Sequence, residues 1–131
     1  MPITYSFDLE RGLILARVTG KLDVACIEDY FSRLKADKDC PDNSIEVVDF
    51  SGVTDFALQY SEINRIPRTF RSTRKEKNIQ ATVFHCTSDL SYGIARMLQT
   101  LNEISDDRHV AFVTRSREEL DRCIEELRSG R

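Results

Sequence analysis

The chain contains no tryptophan, no Cys-x-x-Cys pair, and only five glycines and three prolines in 131 residues. Each shortage excludes something. Cys26, Cys40, Cys86 and Cys123 stand alone at spacings unlike a zinc finger or ribbon, so no metal is expected and the cysteines read as reduced thiols. Gly52, Gly93 and Gly130 are isolated, so there is no glycine-rich phosphate loop and no cofactor is expected. No apolar run approaches the ~20 residues that span a bilayer, so no membrane insertion is expected. The opening MPITYSFD has neither the basic start nor the apolar stretch of a signal peptide, and the reduced thiols are those expected of a cytoplasmic protein. There is no excess of positive charge either: the net charge of −3 gives no field that would recruit nucleic acid.

What the chain does have is a globular balance, 40% hydrophobic and 31% charged, over a length typical of one domain, taken here as residues 1–131. Residues 3–7 alternate apolar and polar as a half-buried strand does, a turn follows at Gly12, and LILARVTG returns, closed by Gly20. Asp23 is placed to cap a helix whose Ile27, Tyr30, Phe31 and Leu34 share one face and which must end before Pro41. Cys26 falls in that helix and Cys123 in the last one, both among core positions. IEVVDF from Ile45 is a buried strand, and after a loop a helix spans residues 61–77, with a kink or restart expected at Pro67. IQATVF is the next strand. Ser88 then caps a helix with Leu90, Ile94, Met97, Leu98, Leu101 and Ile104 in one apolar stripe. HVAFVT and a helix opened by the capping box SREE complete the chain. The fold class is therefore α/β: an N-terminal hairpin, then alternating helices and strands in a mixed, mostly parallel sheet packed with about four helices.

That order, with VVDFSGVTD after the third strand and VFHCTSDLSYGIARML around the fourth, resembles the STAS domains. These are the bacterial anti-sigma-factor antagonists and their relatives in the tails of sulfate transporters. The resemblance covers nearly the whole chain as architecture and is carried as a motif by Asp49, Ser51, Gly52 and Val53. In the antagonists the signature runs D-x-S-G-V-x-x-x-D-S-S-G-L, and a partner kinase phosphorylates the first serine of the pair. Laid on without a gap, the acid falls on Ala57, the phosphorylated serine on Leu58, and the following serine and glycine on Gln59 and Tyr60. Leucine has no hydroxyl, so the usual switch is expected to be lost. Ser61 at the helix start, with Ser51 and Thr54 in the preceding loop, are the remaining candidates for phosphorylation, and an N-cap is the plain role for Ser61.

NRIPRTFRSTRKEK is the one basic stretch in an acidic chain. Arg65, Arg68, Arg71, Arg74 and Lys75 are expected within a third of the helix circumference, opposite Ile63, Ile66 and Phe70. The resemblance makes this helix a partner-contacting element. The leading expectation is a non-enzymatic interaction module that binds a protein through Arg65, Arg68 and Arg71, with Phe56, Leu58 and Tyr60 as apolar anchors. The alternative is a carrier of a small apolar ligand, which an enclosed cavity lined by Phe56, Phe70 and Met97 would favour. Homodimers are expected to be open to either, through the edge of the first strand. His85 and Cys86 are adjacent at a strand end and so point to opposite faces, which argues against a nucleophile and its base.

Overall fold

The computed structural model describes residues 2–105 and 109–130, apart from the side chains of residues 60, 67–69 and 105. Its elements run β1 (Ile3–Asp8), β2 (Leu13–Asp23), α1 (Val24–Ala36), β3 (Ser44–Ala57), α2 (Tyr60–Lys77), β4 (Ile79–His85), α3 (Asp89–Ser105), β5 (Val110–Thr114) and α4 (Arg117–Ser129). They form a five-stranded sheet in the order β1-β2-β3-β4-β5. β1 and β2 are antiparallel, and every later pairing is parallel. The expected α/β order and the N-terminal hairpin are both present.

Alternation along the strands divides the core in two. One face buries Ile14, Ala16, Val18, Val48, Phe50 and Phe84 together with residues of α1, α2 and α3. The other buries Leu13, Ile45, Val47 and Val83 against Leu120 and Ile124 of α4. The caps fall as expected at three helices. The Cys26 amide donates to Asp23 at 2.9 Å, Ser91 to Ser88 Oγ at 3.1 Å and Glu119 to Ser116 Oγ at 3.1 Å. Residues Ile27, Tyr30, Phe31 and Leu34 of α1 are all buried.

Other expectations need correction. β2 does not close at Gly20 but runs on to Asp23, so the strand delivers the cap of α1 directly. Gly20 has φ 72° and lies where the pairing with β3 shifts register, a bulge that glycine accommodates without strain. β3 likewise does not stop at Phe50. It continues to Ala57 and pairs with β2 as far as Asp23↔Ala57, so Ser51 and Thr54 sit on a strand rather than in a loop. Gly52 is needed in that extension, because a Cβ there would stand 2.9 Å from Thr19 Cγ2 and 3.0 Å from the Val18 carbonyl.

α2 runs from Tyr60 to Lys77 without the restart expected at Pro67. A proline removes one hydrogen bond, and Ile63 and Ile66, both buried, hold the helix on the sheet on its N-terminal side. Cys26 and Cys123 are only half-buried, and Cys86 is the fully buried thiol. The apolar stripe of α3 is also not all core. The helix buries Ser91, Ala95, Leu98 and Asn102, while Leu90, Met97 and Ile104 are exposed. Positions 91, 95, 98 and 102 recur at helical spacing as well as the apolar set does, and they are the ones turned to the sheet.

Candidate functional site

The strand-to-helix corner after β3 is where the STAS resemblance places a switch. β3 ends at Ala57 and Gln59 caps α2, with the Gln59 amide donating to Glu62 Oε1 at 2.9 Å. Ser61 is therefore exposed in the first turn and is not the cap. Leu58, which aligns with the phosphorylated serine, is half-buried against the core, as is Phe56, whose ring meets Phe50 edge-on at 6.1 Å. Ser51 is tied to the motif's acid: its hydroxyl donates to Asp49 Oδ1 at 2.6 Å and its amide to the same oxygen at 2.8 Å. A phosphate there would face a carboxylate, an arrangement that like-charge repulsion disfavours. Thr54 is exposed.

Of the candidate arginines, Arg65 and Arg71 are exposed on α2. The side chains of Tyr60 and Arg68 lie outside the described residues. Arg74 departs from the expected stripe and is only 4% exposed. The reason is geometric. Three residues turn a helix about 60° short of a full circle. The series 65, 68, 71, 74 therefore winds from one flank of α2 round to its buried side.

Arg74 enters a chamber beneath α1, α2 and α3 that sequence reasoning missed. The chamber measures about 40 Å³ and is walled mainly by apolar and aromatic side chains, including Phe31, Phe50, Phe70 and Phe84. Glu46, Arg74, Thr82, Asn102 and Tyr30 also line it. The buried Glu46 carboxylate accepts from Tyr30 Oη at 2.7 Å and from Thr82 Oγ1 at 2.8 Å. Since the Thr82 proton is committed to Glu46, its oxygen accepts from His109 Nε2 at 2.8 Å. Burial and the neighbouring Glu46 charge hold the Tyr30 phenol well above its ordinary pKa. Among the described residues, Asn102 Oδ1 is buried with no hydrogen-bond partner. The signal available in the sequence was a polar residue at each core position: Glu46 inside IEVVDF, Thr82 inside IQATVF and Asn102 one turn beyond Leu98.

Phe56 and Met97, named as walls of a cavity, do not line this one, whereas Phe70 does. By volume the chamber admits a few water molecules and no acyl chain.

The C-terminal strand ends hold His85 and Cys86 apart, as expected. His85 Nδ1 lies 3.1 Å from Thr114 Oγ1 of the neighbouring strand, and Cys86 is buried, its thiol pushed up to about 11 by desolvation. Burial also raises Cys26, Cys40 and Cys123, so each is a neutral thiol at neutral pH. Among the described residues no group of His, Cys, Asp and Glu gathers to hold a metal ion, and no helix is long and apolar enough to cross a membrane.

No protein-family model matches the sequence, and no curated protein matches it. Among solved structures the chain is similar to an uncharacterised protein of the DUF3478 family, with a SpoIIAA-like fold, from Shewanella loihica PV-4. The TM-score is 0.54 over 91% of this chain and 90% of that one, at 10% identity. The chain thus has the SpoIIAA-like fold, the STAS type that its element order resembles. At that identity the fold is what the two proteins share.

Proposed function

We propose that the protein is a non-enzymatic cytoplasmic regulatory module that binds another protein through α2 and the corner after β3, without the serine switch of the antagonists. The observation that carries this reading is the corner itself. Leu58 packs inward where the resemblance places the modified serine, while Arg65 and Arg71 on the following helix face solvent. The fold supports the reading by analogy only. Replacing Arg65, Arg68 and Arg71 with glutamate tests it. Arg65 and Arg71 are exposed, and substitutions at such positions each change stability by about 0.5 kcal/mol at most, so the melting temperature is expected to stay nearly constant while capture of the partner is lost. A large fall in melting temperature would make these arginines structural and end the docking reading. Intact mass of protein taken from its own cells tests the lost switch: the expected result is no phosphate on Ser51, Thr54 or Ser61.

A second reading, a carrier of a small ligand, is favoured by the chamber and its unsatisfied Asn102 oxygen. At about 40 Å³ the chamber would have to widen by parting α2 from α3. A stoichiometric adduct seen in native mass spectrometry and lost on denaturation would establish it.

A further inference from the structure

α3 carries more apolar surface than the sheet uses. Leu90, Met97 and Ile104 are 59%, 37% and 78% exposed, and Ile94 and Leu101 beside them are half-buried. The exposed three are seven residues apart, close to two whole turns, so they form one row about 21 Å long at 1.5 Å per residue.

Hydrogen bonds fix the direction in which this row faces. Gln99 Nε2 donates to the Ala111 carbonyl of edge strand β5 at 2.7 Å, and the Arg115 guanidinium lies 4.7 Å from the centre of the Tyr92 ring. The flank with Tyr92 and Gln99 is therefore the β5 side. Met97 lies about 160° round from Gln99, on the side of α2. On α2, Ser72 and Glu76 meet Lys35 of α1 at 3.0 and 3.7 Å, so that flank faces α1. Arg71, about 100° round from Ser72, is on the flank toward α3. The two helices thus frame a furrow with an apolar wall on α3. Exposed Arg71 and Lys75 stand along the α2 rim, while on α3 Arg96 donates to Gln99 Oε1 at 3.2 Å, toward the β5 flank, and the acid Glu103 is exposed. Asp89, at the start of α3, is already paired with Arg115 at 2.6 Å.

We propose that the furrow between α2 and α3 is the docking site for an acidic amphipathic helix of the partner protein. The inference rests on the partner-module reading and adds the place and the partner's chemistry. A seven-residue repeat of apolar side chains is the pattern that another helix's apolar ridge covers, and the exposed Gly93 leaves open space for its approach. The cations Arg71 and Lys75 on the α2 rim select acidic residues beside that ridge. A membrane is the weaker fit, since a net charge of −3 is repelled by an anionic surface.

The test uses the full chain and two fluorescein-labelled designed helical peptides of about 20 residues, long enough to cover the row. Both carry leucine along one face. One has glutamate beside that face and the other lysine. Fluorescence anisotropy should show the acidic peptide binding at least about tenfold tighter than the basic one. Met97→Glu and Arg71→Glu should each weaken the acidic peptide by about tenfold while leaving the circular dichroism and melting temperature unchanged. With Arg71→Glu the preference between the peptides should shrink, which lost stability alone would not produce. Equal binding of the two peptides, or acidic binding indifferent to Met97→Glu, would overturn the proposal. So would binding to phosphatidylserine vesicles in place of the peptide, or a dimer that Met97→Glu converts to monomer. If partner capture is lost in the triple arginine variant yet survives Met97→Glu, the furrow falls and the module reading stands.

Discussion

Helix α1 buries Ile27, Tyr30, Phe31 and Leu34 and shows solvent a polar face, whereas α3, packed on the same face of the sheet, buries Ser91, Ala95, Leu98 and Asn102 and leaves Leu90, Met97 and Ile104 exposed. The first is an ordinary amphipathic helix, whose packing explains its sequence. The second is not explained by packing, because burying polar groups costs free energy and exposed leucine, methionine and isoleucine gain nothing from the sheet. α1 is therefore best understood as a structural helix, and α3 as a helix with one arc for the interior chamber and another for something outside the chain.

The widest separation between the two helices should appear when their large apolar residues are shortened. Leu34→Ala removes a side chain of 0% exposure and should cost about 2–5 kcal/mol in chemical denaturation. If Leu34→Ala were nearly silent, α1 would not be the structural member of the pair. Asn102→Leu should act in the opposite sense. It replaces a buried, unsatisfied acceptor with an apolar group of similar size, so stability should rise by about 1–3 kcal/mol. A fall would show that the oxygen is satisfied by water in the chamber.

A smaller effect is expected at the start of α1. Hydrogen bonding to Cys26, from its thiol first and its amide second, holds the Asp23 carboxyl below its usual pKa. A depressed pKa stabilises the fold above the ordinary carboxylate range, and that stability is lost as pH falls through the folded-state value. Thermal melts of the parent and Asp23→Ala should therefore differ at neutral pH and converge in acid. A difference unchanged in acid would mean that the carboxylate does not act as the cap. Least of all should Met97→Ser and Ile104→Ser affect stability, each within about 0.5 kcal/mol. A larger loss would return the row to the core and remove the contrast between the helices.

Much of this architecture is legible in the sequence because local chemistry decides it. Asp23, Ser88 and Ser116 mark helix starts, and the alternation in β1 and the periodicity in α1 identify their buried sides without further information. Two features were not legible for a physical reason. The extension of β3 to Ala57 depends on a partner distant in sequence, the stretch Thr19–Asp23 of β2, and polar residues such as Ser51 and Asp55 gave it the composition of a loop. The phase of α3 was ambiguous because two arcs of the helix recur with helical spacing, and the more apolar one is not the buried one. Among the site residues, the exposure of Arg65 and Arg71 follows from the pattern of α2, while the turn of Arg74 into the chamber follows only from counting the rotation of a three-residue repeat.

The most direct test of the outward arc is site-specific photocrosslinking in the protein's own cells. A photoreactive phenylalanine analogue would be placed at Met97 in one variant and at Leu9 in another, the latter also exposed, at 69%, but in the hairpin turn away from α3. The account predicts a crosslink to another polypeptide from position 97, suppressed by the acidic helical peptide, and none from position 9. No crosslink at 97, or the same products from both positions, would contradict it.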